Sequence, residues 1–198
     1  MILVFCGILF VLLGLSFVAQ EFLPSVSWAY QSRLFIVPVV FLASAVAVPF
    51  PVMLAFAFFT GLIWDARHLT IWTSLPDESV YGVAHQQMAN PHFGFSIVLY
   101  GLMGSLMQGI RPLFRRGRYE LPVLMTGVAT GLLLTIEYLF ISFLRGSFDF
   151  SRDMWFNIGT TSMLAMMISP AMFLIIHWLS RLSGYQMRFD GLKSRRSW

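Results

Sequence analysis

The chain has 198 residues, the length of one ordinary domain. Hydrophobic residues make up 58% and charged residues 11%, against roughly 45–50% and ~25% in soluble globular domains. That excludes a disordered chain and argues strongly against a soluble enzyme, because so few charges cannot cover a water-facing surface. The formal net charge is +4, and nine of the thirteen basic residues fall in two clusters. These are Arg111, Arg115, Arg116 and Arg118, then Arg181, Arg188, Lys193, Arg195 and Arg196. Each cluster abuts an apolar run, the pattern of loops beside anionic lipid headgroups. No base-stacking module is interleaved with them, so nucleic acid is not an expected partner. A single Cys6 rules out a disulfide scaffold.

A membrane-crossing helix needs ~20 apolar residues to traverse ~30 Å of hydrocarbon. Residues 1–19 form the first such tract. It reads as a retained span rather than a signal peptide. No basic residue precedes it, and Phe17-Val18-Ala19 places an aromatic where a cleavage site needs a small residue. Residues 34–64 are apolar almost throughout but are interrupted by Val48-Pro49-Phe50-Pro51. Proline removes a donor and restrains the residue before it. The tract therefore predicts two helices, 34–48 and 50–64, joined by a tight turn, each about 22 Å long. Helices that short need shielding by neighbours or a locally thinned bilayer. A re-entrant hairpin over the same residues leaves the loop sides unchanged, so both arrangements are open.

Residues 65–92 form the largest polar stretch, with Asp77, Glu78, His85, Asn90, Pro91 and His92. Further spans are predicted at 93–110, 121–144 and 155–180, the last with a kink at Pro170. The expected fold is all-α, a polytopic membrane protein of six transmembrane helices forming one membrane domain over 1–198. The basic loop 111–120 and the tail 181–198 are two spans apart and so share a side. The positive-inside rule makes that side, and both termini, cytoplasmic. The outward segments 20–33, 65–92 and 145–154 hold six of the nine carboxylates. Trp28, Tyr30, Trp64, Tyr119, Trp155 and Trp178 fall near the boundaries, as an interfacial belt requires. The tail, with Tyr185, Arg188, Phe189 and Trp198, is suited to lie on the inner leaflet.

Glu137 lies within the fifth span, where an ionisable group costs ~2–3 kcal/mol or more near the centre. Thr126 and Thr130 share its helical face, and Asn157, Thr160 and Thr161 stand at matching depth on the sixth span. Glu137 is either a proton or substrate contact or an interhelical polar clamp. Asp65 ends the third span and either holds a partner or a loop, or pairs with Arg67. The histidines His68, His85, His92 and His177 show no metal-ligand spacing, and there is no H-E-x-x-H. Gly101-Leu102-Met103-Gly104-Ser105 is no nucleophile element. No catalytic residue, metal or cofactor is therefore expected. Gly127 and Gly131 form G-x-x-x-G, and Gly101, Ser105 and Gly109 repeat that period in the fourth span. Such faces pack helices within a chain or between subunits.

The tract from Pro38 to Pro49, followed by Ala55-Phe56-Ala57-Phe58-Phe59-Thr60-Gly61-Leu62-Ile63-Trp64-Asp65, resembles the rod shape-determining protein MreD family. So do Phe93-Gly94 before the fourth span and Ser169-Pro170-Ala171-Met172-Phe173-Leu174 ahead of a basic tail. The resemblance covers roughly 34–182, and it is carried by the order and spacing of these pieces. It implies a non-enzymatic inner-membrane subunit of the bacterial cell-elongation machinery (the elongasome), acting in cell shape and peptidoglycan synthesis. Its partner would be an MreC-like single-span protein and, through it, MreB and the RodA/penicillin-binding protein pair. It also implies a fold similar to the S-component of energy-coupling-factor transporters. Segment 66–92 is longer than that family's short turn. The expected contact residues are Gly61, Asp65, Gly127 and Gly131. A rival expectation is an S-component-like vitamin binder, with Glu137, Asn157 and 66–92 lining a cavity and Ala43 and Ala47 forming an A-x-x-x-A docking face.

Overall fold

The structure is a computed structural model, and it describes residues 2–23, 34–73, 94–111, 120–146 and 152–184. Among these residues there are six helices and no strand: α1 Ile2–Phe22, α2 Ile36–Ala47, α3 Phe50–Thr73, α4 Phe95–Ile110, α5 Glu120–Arg145 and α6 Arg152–Leu182. Four of them, α1, α3, α5 and α6, are long and apolar enough to cross a membrane. The described part of the chain is all-helical, and its long apolar helices suggest a membrane protein. Most of the polar segment 65–92, the arginine-rich loop and the basic tail lie outside the described residues, as do His85, His92, Trp28, Tyr30 and Tyr119.

Why these tracts become helices follows from the solvent. In lipid every backbone N–H and C=O must be satisfied within its own segment, and a helix does this. With apolar residues on all sides, a helix cannot choose its inner face by hydrophobicity, so shape chooses it. In α1, Phe5, Leu9, Leu13, Ser16 and Phe17 are buried at spacings of three and four. Leu3, at 83% exposure, lies on the outer side with Val4, Val11, Leu15 and Val18. Large apolar side chains are exposed on every helix except α2, a surface that water alone would not tolerate.

α2 is the centre of the molecule. Eleven of its twelve residues are buried, and it touches each of the other five helices. At about 18 Å it is too short to cross ~30 Å of hydrocarbon alone, and it is shielded by neighbours as the sequence requires. Burial leaves its terminal peptide groups without water, and two glutamines serve them. At the start, Gln20 of α1 accepts the Ile36 N–H through Oε1 (2.7 Å) and donates through Nε2 to the Leu34 carbonyl (2.7 Å). At the end, Gln108 Nε2 of α4 donates to the carbonyls of Ala45 (2.6 Å) and Val48 (2.7 Å), and Arg111 adds a bond to Val48 (3.4 Å).

The turn between α2 and α3 is two residues long. Val48 is extended (φ −105°, ψ 161°), as a residue before proline must be. The Pro49 carbonyl accepts the N–H groups of Val52 (3.1 Å) and Met53 (3.0 Å) and so opens α3. Pro51 sits in the first turn, where a missing N–H costs nothing. Pro49 and Pro51 thus mark a break and a start, not a bend within a helix. One expectation fails here: α3 is not short. It runs 24 residues, about 36 Å, to Thr73. The helix continues past Trp64 into Asp65, Ala66 and Arg67, because its own backbone bonds carry it beyond the apolar tract.

Neighbouring helices alternate in direction. Asp65 meets Gly94, and Gly61 meets Ile97, so α3 and α4 are antiparallel. Gly127 meets Met166 and Gly131 meets Ser162, so α5 and α6 are too. The bundle therefore has two ends: one with Gln20, Asp65 and Gly94, the other with Val48, Gln108 and Arg111.

Candidate functional site

The polar residues buried at the Asp65 end come from three helices. Asp65 is 7% exposed, and its Oδ2 accepts the Gly94 N–H at 2.6 Å. Gly94 has φ +100°, a conformation that favours glycine, and immediately precedes α4. The carboxylate thus lies at the N-terminal end of α4, where the helix dipole favours an anion. Trp64, one residue earlier and 8% exposed, donates its indole N–H to Glu137 of α5. Tyr100 of α4 is 1% exposed. Its ring meets Phe41 edge-on (centroids 5.2 Å apart) and Trp64 (6.3 Å). Among the described residues its hydroxyl has no hydrogen-bond partner. Phe17 and Phe35 also pack against Trp64, and Phe95 stacks on Phe140 at 3.8 Å, tying α4 to α5.

Glu137 takes a donor from α3, the Trp64 indole N–H. Asn157, Thr160 and Thr161 make bonds within α6: Thr161 Oγ1 donates to Asn157 Oδ1 (3.4 Å) and Thr160 Oγ1 to the Phe156 carbonyl (2.7 Å). Thr126 and Thr130, both fully buried, bond back to the carbonyls of Pro122 and Thr126. Arg67 forms a salt bridge with Glu21 of α1.

The glycines expected to face a partner are engaged inside the chain. A Cβ on Gly61 would run into the backbone of Ile97 and come within 2.8 Å of the Ser96 carbonyl carbon. A Cβ on Gly127 would sit 3.1 Å from Met166, and one on Gly131 3.2 Å from Ser162 Oγ. Ser162 Oγ also donates to the Gly127 carbonyl at 2.5 Å. The G-x-x-x-G face is thus the α5–α6 seam. Ala43 and Ala47 are buried in α2, so the A-x-x-x-A pair offers no outward docking face. In contrast, Gly101 and Gly109 have open space where a Cβ would stand. Pro170 lies on the exposed side of α6, which runs through it as one helix.

Tyr100, Gln20 and Gln108 are the residues that sequence reasoning passed over. The signal for each glutamine is a polar amide at the end of an apolar run. Tyr100 carries no signal of its own among neighbours such as Leu99 and Leu102. Compared with known proteins, the chain matches no family model, no curated protein and no solved structure.

Proposed function

We propose that this chain is a non-enzymatic scaffold of the MreD type, residing in the bacterial inner membrane with both termini cytoplasmic. It would hold an MreC-like single-span protein in the cell-elongation complex and so act on cell shape and peptidoglycan synthesis. The observation that carries the reading is the meeting of two separated parts of the resemblance. Asp65 closes the Ala-Phe…Gly-Leu…Asp stretch, Gly94 precedes the fourth helix, and the two are joined by a 2.6 Å hydrogen bond across 29 residues of sequence. Gly61, from the same stretch, seats α4 against α3. Asp65 and Gly61 on this reading build the scaffold rather than touch the partner. The partner surface then falls on side chains that remain outward, such as Phe50, Leu54, Phe58 and Phe59 of α3. The membrane lipid covers what the partner does not.

The test is to co-express the tagged chain with an MreC-like single-span protein and to purify from mild detergent. Stoichiometric recovery of the pair, with rounding of rod-shaped cells when the chain is depleted, supports the scaffold. Recovery of the chain alone and unchanged cell shape overturn it.

A further inference from the structure

The helices of the bundle differ widely in length. α5 has 26 residues and α6 has 31, about 39 and 46 Å at the helical rise. α4 has 16, about 24 Å, and with α2 it is one of two shorter apolar helices. Burial at the centre resolves the shortness of α2. α4 has no such shelter. It packs on α2, α3 and α5, yet Val98, Leu102 and Leu106 stand outward at 70%, 50% and 43% exposure. Their four-residue spacing places them in one stripe on the outer side of the helix. Polar groups fix both ends of this flank. At one end Asp65 holds the Gly94 N–H, and two residues further along α3 Arg67 pairs with Glu21, whose side chain is 61% exposed. At the other end Arg111 follows Ile110 and bonds the Val48 carbonyl. α3, antiparallel beside α4, repeats the measure: Phe50 to Arg67 is about 26 Å. The flank thus offers about 24–26 Å of apolar height, against ~30 Å of hydrocarbon. A helix that is too long can tilt to fit; one that is too short cannot stretch, so the lipid beside it must give way.

We propose that the outer face of α4 is a lipid-binding surface that gathers short-chain phospholipid and thins the bilayer beside it. Length identifies the occupant. The stripe is apolar and uncharged, so it recognises acyl chains rather than a headgroup, and the chains that fit are those whose bilayer matches the spacing between Gly94 and Arg111. α5 and α6 are long enough to meet an ordinary bilayer, so the preference belongs to one flank and not to the molecule as a whole. The inference rests on the chain being a membrane protein and not on which partner it holds. Its failure in reconstituted vesicles therefore leaves the scaffold reading untouched.

The experiment reads which lipid touches each flank. In a Cys6→Ser background, Leu106→Cys on α4 and Met163→Cys on α6 each carry a bimane label. Both positions are exposed, and the Phe95–Phe140 and Gly131–Ser162 contacts set them at similar depth. The full chain is reconstituted into dioleoyl phosphatidylcholine, with chain-brominated phosphatidylcholine of either myristoleoyl or erucoyl length added at equal mole fraction. The short quencher is expected to act severalfold more strongly than the long one at Leu106→Cys, and to hold no such advantage at Met163→Cys. Equal quenching by the two lipids at Leu106→Cys overturns the proposal, and so does the same preference at both labels. Quenching by neither lipid at Leu106→Cys overturns it too, as a second copy or a partner helix seated on the open side of Gly101 and Gly109 would give. Should a labelled variant not fold, the unlabelled protein decides. Its thermal midpoint is expected to be several degrees higher in dimyristoleoyl than in dierucoyl phosphatidylcholine vesicles, and equal or reversed midpoints overturn the proposal.

Discussion

At the scale of the residue, the structure turns on places where a side chain is missing. Gly61 lets the α4 backbone come so close that no Cβ fits beside Ile97. Backbone is the hardest neighbour to move, so Gly61→Ala is expected to cost about 1–3 kcal/mol through overpacking. Gly101→Ala is the matched control. It lies in a helix interior with open space around it, and it should be neutral or slightly stabilising, by up to about 1 kcal/mol from propensity alone. Reversible unfolding in detergent with increasing denaturant reads both; equal effects would show that α3 and α4 are not in contact at Gly61. Gly94→Ala adds a second kind of cost, since its φ of +100° is a conformation that side chains rarely adopt and its N–H must still reach Asp65. In sequence, Gly61, Gly127 and Gly131 all read as small surfaces. Which helix each one faces was not legible, because a glycine says only that something approaches, and lipid, partner and neighbouring helix all satisfy that pattern equally.

At the scale of the element, α2 poses the sharpest physical problem. A twelve-residue helix buried on nearly every side must satisfy its end groups without water, and Gln20 and Gln108 do so from opposite ends. Gln108→Leu leaves the Ala45 carbonyl and one bond of the Val48 carbonyl unmet. Gln20→Leu leaves the Ile36 N–H unmet. Each is expected to cost about 1–3 kcal/mol, the penalty for orphaning a buried polar group. The two sites stand a helix length apart and share no partner, so the double variant should show the sum to within ~0.5 kcal/mol. A double variant no worse than either single one would mean that α2 already frays at one end. The proline break at Val48-Pro49 was legible because proline acts through its own backbone. The centrality of α2 was not. α1 and α2 are both apolar all round, a composition that fits a buried core helix and a lipid-facing one alike. The length of α3 was hidden for a related reason: hydropathy falls after Trp64, but helical hydrogen bonding is indifferent to where the bilayer stops.

At the scale of the whole molecule, the two ends differ in chemistry, and the proposed orientation rests on that difference. The Arg111 end leads directly into Arg115, Arg116 and Arg118, while the Asp65 end carries Asp65 and the Glu21–Arg67 pair. Because neighbouring helices alternate, fixing the side of one end fixes the other. On the proposed orientation, with the arginine cluster cytoplasmic as the positive-inside rule expects, the acidic and aromatic cluster of Asp65, Trp64, Tyr100 and Glu137 faces the opposite side. On that orientation the cluster lies on the side where the extracytoplasmic part of the proposed single-span partner would hang. Two exposed residues report the ends: Ala66, beside Asp65, and Glu120, where α5 begins. In a Cys6→Ser background, a membrane-impermeant maleimide applied to intact spheroplasts should label Ala66→Cys and leave Glu120→Cys unmodified until the membrane is opened. The reverse pattern would invert the bundle and remove the geometric basis for a partner held on the outer side.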